Sequence, residues 1–96
     1  MKVRVLLFGE YAKLAGKPEW SVETTENADV RGLFGALDVA TGKSIAKALL
    51  FDEQTILPSI AVMVNGSNVL MKDGLRTPLG DGDQVSVMPL LGGGAV

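Results

Sequence analysis

Neither cysteine nor histidine occurs in the chain. Without cysteine, the chain itself supplies no disulfide, no thiolate metal site and no thiol nucleophile. Without histidine, it lacks the commonest metal ligand and the side chain best matched to proton transfer near neutrality. Carboxylates, lysines and Tyr11 remain able to act, but the two absences together argue against a self-contained enzyme. A dense basic patch is missing too. The nine lysines and arginines are scattered from Lys2 to Arg76 against eleven acidic residues, for a net charge of −2, unlike the footprint of a nucleic-acid binder. The apolar stretch ending at Phe8 is too short to span a membrane, and Glu10 and Lys13 follow it at once, unlike a secretory signal. The expectation is a cytoplasmic protein with neither nucleic acid nor membrane as partner.

The length of 96 residues and an even composition predict one domain. A chain of this size buries roughly 60–65% of its unfolded surface, enough for a core without metal or disulfide support. MKVRVLLFGEY alternates and then turns continuously apolar, as a strand entering a sheet does, with Gly9 at its end. YAKLAGKPEW offers a short turn of helix that Gly16 and Pro18 should break into a loop. EWSVETT alternates Trp20, Val22 and Thr24 against Glu19, Ser21, Glu23 and Thr25, which predicts a half-buried hairpin partner with Trp20 at the core or its edge.

Asp29 is placed to cap a helix whose apolar positions are Val30, Leu33, Phe34 and Leu37. KSIAKALLFDEQ reads as a second helical segment, reset to extended chain by Pro58. SIAVMVNG and SNVLMK flank an Asn65-Gly66 turn, and Val85 and Val87 alternate in a last strand after the turn dipeptides Asp73-Gly74 and Asp81-Gly82. Asp81 and Asp83 around a glycine are read as a turn, not a metal site. The predicted order is β-β-α-β-β-β: a two-layer α+β fold in which a mixed sheet of four to five strands packs on one main helix, with first and last strands parallel at the centre.

The chain ends in PLLGGGAV. Three consecutive glycines are costly to order and do little for packing, so residues 1–91 are expected to form the domain and 92–96 a flexible tail. Leu90 and Leu91, with Met88 and Pro89, make an uncharged approach to that tail, the kind of exposed apolar stretch that marks a partner surface. Met63 and Met88, on the polar-side phase of their strands, can add an adaptable patch for the same partner.

MKVRVLLFGEYAKLAG, VMVNG, TPLGDGDQVSVMP and the glycine ending together resemble the MoaD/ThiS family of ubiquitin-like sulfur carriers, across almost the whole chain. The resemblance implies a β-grasp fold. It also implies that the carboxylate of a C-terminal glycine is adenylated by an E1-like partner using ATP and then converted to a thiocarboxylate, with no cofactor bound by the chain itself. Such a carrier needs no thiol side chain, because the sulfur rides on the main-chain terminus. The family's final Gly-Gly falls on Gly93 and Gly94, and Ala95-Val96 lie beyond it, so Gly94 as written is an internal amide.

Removal of Ala95-Val96 by a processing peptidase, by analogy a JAMM-type zinc enzyme, would free the Gly94 carboxylate; cleavage after Gly93 is the neighbouring register. The implied site is therefore Gly94 as the reactive terminus, with Met88, Pro89, Leu90, Leu91, Gly92 and Gly93 as the partner-binding approach. The resemblance leans towards the molybdopterin side, in which the chain is the small subunit of a molybdopterin synthase whose larger subunit, or another sulfur acceptor, receives the tail. Two other readings stay open: a ubiquitin-like modifier joined to lysines through the terminal glycine, and a non-covalent interaction module whose tail is blocked.

Overall fold

A computed structural model describes residues 1–90 of the chain. Strand β1 (Lys2–Leu7) is followed by a short helix α1 (Glu10–Ala15), strand β2 (Glu19–Glu23), the main helix α2 (Val30–Thr41) and a one-turn helix α3 (Ile45–Leu49). Strands β3 (Leu50–Asp52) and β4 (Thr55–Ile56) make a small hairpin of their own, and β5 (Ile60–Val64), β6 (Ser67–Asn68) and β7 (Gln84–Pro89) complete the main sheet. That sheet runs β2-β1-β7-β5-β6. β1 and β7 are parallel neighbours at its centre, with Val5 opposite Val85 and Leu7 opposite Val87, and every other pairing in it is antiparallel.

The core lies between one face of the sheet and α2. Val3, Val5, Val85 and Val87 of the central strands and Val30, Leu33, Phe34 and Leu37 of α2 are all fully buried. Each such side chain contributes about 1.5–3 kcal/mol relative to exposure, which offsets the intrinsic helix weakness of Gly32 and Gly35. Asp29 caps α2 as its sequence position implies, its Oδ1 accepting the Gly32 N–H at 2.8 Å. At the other end, Gly42 takes a left-handed conformation and returns its N–H to Asp38 O. Asp38 then accepts the Ala46 N–H at 2.8 Å, tying α3 to the end of α2.

The ubiquitin-like β-grasp architecture, the five-stranded mixed sheet and the parallel central pair are those expected; three local readings are corrected. The strand expected over SNVLMK ends at Asn68, whose Oδ1 accepts the Leu70 N–H at 2.9 Å and turns Val69–Met71 into a single 3-10 turn. Residues 10–15 form a helix where a loop was expected. Gly16 ends that helix in a left-handed cap (φ 100°) without preventing it, and Tyr11 and Ala15, four residues apart, bury one face. The helix predicted through residues 43–54 stops at Leu49. Leu50–Asp52 extend and turn back through Asp52, whose Oδ1 accepts the Gln54 N–H at 2.9 Å. The Asn65-Gly66 turn has φ 50° and 87°, the double left-handed geometry of a tight hairpin.

Candidate functional site

Strand β7 delivers the chain to its C-terminal segment from the middle of the sheet. Its inward residues Val85 and Val87 anchor it in the core, while Ser86 and Met88 face the side of the sheet away from α2 and are half-buried. Both flanks hold it to its end. Phe8 N–H donates to Val87 O at 3.1 Å on the β1 side, and Leu90 N–H donates to Ser59 O at 2.8 Å on the β5 side. Gly9 turns the chain away immediately beside this point with φ 61°, and a Cβ built on it would lie 3.3 Å from Pro89 Cγ. A close approach and a left-handed φ thus both demand glycine there.

The register sorts the outer face of the sheet into two halves. Ser86 stands between Leu6 and Met63, and Met88 stands opposite Ala61. With Phe8 (45% exposed) and Leu90 (55% exposed) continuing the same phase, this makes an uncharged, largely apolar patch around the end of β7. The opposite half is charged. Arg4 Nε donates to Glu19 Oε2 at 2.9 Å, Lys2 Nζ lies 3.9 Å from Glu23, and Arg4 also reaches Gln84 Oε1 at 3.5 Å. The Arg4 hydrogen bond holds the Glu19 carboxyl below the usual range and in turn raises the guanidinium. On α1, burial pushes the Tyr11 hydroxyl above its ordinary pKa, with the Glu10 charge adding to the effect.

Of the residues assigned to the partner approach, Met88 and Pro89 are half-buried and Leu90 is exposed at the end of β7. Leu91, Gly92, Gly93 and Gly94, together with the proposed cleavage point before Ala95, lie outside the described residues. Met63 joins Met88 as a diagonal neighbour across β5 and β7. Leu6, Phe8 and Ala61 were missed. LLF reads as a run entering the core, and only its period of two, once β1 is paired, shows that Leu6 and Phe8 face outward.

The Asp81-Gly82-Asp83 segment is a turn, as predicted. Asp81 Oδ1 accepts the Lys2 N–H at 2.8 Å, and Asp83 accepts from Gly80 N at 2.7 Å and Asn65 Nδ2 at 3.0 Å. Among the described residues, no group of three histidine, cysteine, aspartate or glutamate side chains is placed to hold a metal ion.

A family model for the ThiS family matches residues 5–94, from β1 through the glycine triplet. The chain belongs to the ThiS family. Among ThiS-related proteins, one from Archaeoglobus fulgidus described as a sulfur carrier is 39% identical over 69 residues, covering 72% of this chain and 77% of that one. Small archaeal modifier protein 3 of Haloferax volcanii is 30% identical over 94 residues, covering 98% of this chain and 100% of its own. A solved structure from Pyrococcus furiosus, named for subunit 1 of a molybdopterin converting factor, superposes with a TM-score of 0.69 at 30% identity, over 93% of this chain and 97% of that one. As in this family of sulfur carriers and ubiquitin-like modifiers, the chain is a small non-catalytic carrier protein.

Proposed function

We propose that this ThiS-family chain carries sulfur on its own C-terminus. In this reading a peptidase removes Ala95-Val96, and the freed Gly94 carboxylate attacks the α-phosphate of ATP on an E1-like partner, forming an acyl-adenylate and releasing pyrophosphate. Sulfide-level sulfur then displaces AMP from the acyl carbon to leave a thiocarboxylate, which donates its sulfur to a substrate held by the larger subunit of a molybdopterin synthase or by a related acceptor enzyme. The ATP site belongs to the partner. The glycine triplet is followed by alanine and valine, not by the lysine and serine or threonine of a phosphate-binding loop.

The observation that carries the reading is the uncharged patch of Leu6, Phe8, Met63, Met88 and Leu90 around the root of a glycine-rich terminus. It offers a partner both an apolar platform and a substrate strand without a Cβ to obstruct a narrow channel. ATP–pyrophosphate exchange with the activating enzyme tests it. Protein ending at Gly94 should support exchange and the full-length chain should not; equal failure of both would overturn the proposal.

The resemblance to small archaeal modifier protein 3 over nearly the whole chain favours a second reading. In it the activated Gly94 carbonyl is attacked by a lysine amine, leaving an isopeptide bond. Activation is shared between the two readings, and the acceptor separates them.

A further inference from the structure

The far edge of the sheet carries a second recognition feature, independent of the tail. Among the described residues, strand β2 is paired on one side only. Thr24 N–H donates to Met1 O at 2.8 Å and Pro18 O accepts from Leu7 N–H at 2.7 Å. In an antiparallel pair this alternation turns the backbone groups of residues 20 and 22 towards β1 as well, and those of Glu19, Ser21 and Glu23 outward. The outward groups form an open ladder with no proline inside it and no bulge.

Beside this edge, on the α2 side of the sheet, lies a groove of about 620 Å³. Its helix wall is Gly32, Ala36 and Val39, four and then three residues apart on one face of α2, and Val39 is 85% exposed. Small side chains keep the groove open next to the unpaired ladder.

We propose that the β2 edge and this groove take an extended peptide segment of a partner protein as a sixth strand, with apolar side chains and lysines or arginines in alternation. The backbone of the added strand pairs with Glu19, Ser21 and Glu23. One phase of its side chains enters the groove against Ala36 and Val39. The other phase lies on the opposite face of the sheet, beside Glu19 and Glu23. The charge selects the occupant: on the face opposite the groove the second phase meets Glu23, 72% exposed at its side chain, and Glu19, 55% exposed beside Arg4, while the described lining of the groove includes no cation. Lys2 and the chain's own amino group approach Glu23 only to 3.9 Å, leaving acceptor capacity free. A second copy of this chain is a poor occupant, because an antiparallel pairing centred on Ser21 sets Glu19 of each copy against Glu23 of the other. The β7 terminus emerges two strands away, so the segment and the tail's partner can bind together.

The test is an NMR titration of the full-length protein with a blocked peptide of about eight residues, the length of an ordinary strand, alternating valine and lysine. Amides of Glu19, Ser21, Glu23, Ala36 and Val39 should shift together, and exchange of the Ser21 and Glu23 amide hydrogens should slow. A peptide with glutamate in place of lysine should bind about tenfold more weakly or worse. Ser21→Pro removes an outward donor at an edge position that tolerates proline, and Val39→Glu alters an exposed wall. Each should weaken binding with the spectrum otherwise intact. The proposal fails if the shifts fall on Phe8, Met63 and Met88, if both peptides bind alike, if neither binds, or if sedimentation shows the chain dimerising through β2.

Discussion

Gly9 and Tyr11 fix the ground on which the tail is rooted. Gly9 holds φ 61° and ψ −133° against Pro89, a conformation that costs an L-residue about 1–3 kcal/mol. Gly9→Ala should lower unfolding free energy by about that amount in a denaturant titration and shift the resonances of Pro89 and Leu90; a loss within about 0.5 kcal/mol, the range of neutral surface changes, would contradict this. Tyr11 is the lone tyrosine, so its ionisation can be followed by absorbance alone. Its hydroxyl is raised above the ordinary value of 10.0 by burial. A raised pKa stabilises the fold below the unfolded value, and that contribution is lost as pH climbs from there through the folded value. The midpoint should fall above 10.0 in the native state and return to the ordinary value in denaturant; a native midpoint at or below 10.0 would contradict the burial argument.

Among the elements, α2 shows which parts of the fold were legible in sequence. Asp29, the apolar positions Val30, Leu33, Phe34 and Leu37, and the closing Gly42 each act locally, and all can be read from residue type and spacing. The strands of the central pair were legible for the same reason. Residues 10–15 were not, because Gly16 serves equally as a breaker or as a left-handed cap, and only the burial of Tyr11 and Ala15 decides between them. Residues 50–56 were not, because the helical pattern of KALL continues into a turn held by one aspartate side chain.

Two substitutions weigh the contributions to α2. Asp29→Ala should cost about 1 kcal/mol through the lost cap, and Phe34→Ala about 3–5 kcal/mol through the cavity left in the core. Equal costs in parallel denaturation curves would contradict a helix held chiefly by packing. The outer-face patch behaves oppositely. Met88 was legible as an outward residue of the last strand, whereas Leu6 and Phe8 emerge only from the β1–β7 register. Phe8→Asp should leave thermal stability nearly unchanged, since the side chain is already 45% exposed, and should weaken binding to the activating enzyme about tenfold or more. Unchanged affinity would remove the patch from the interface.

Taken whole, residues 1–90 form a platform from whose central strand the chain runs on to its C-terminal segment. The buried central strands fix where β7 ends, the outer face beside that end carries no charge, and the ion pairs of Lys2 and Arg4 occupy the other half of the sheet. Nothing in this arrangement requires a catalytic side chain, in keeping with a sequence that has neither cysteine nor histidine. The ThiS family and the fold were legible because their signals run along almost the entire chain. The acceptor was not, because in the proposed function it belongs to a partner and leaves no signal in this chain's own residues.

The central claim is that Gly94 becomes the working end of the chain. The intact mass of the protein, purified from its own cells without reductant or alkylating agent, tests it directly. The account predicts a species lacking Ala95-Val96 with one terminal oxygen replaced by sulfur; a full-length mass in every fraction would contradict it and favour a blocked-tail binding module.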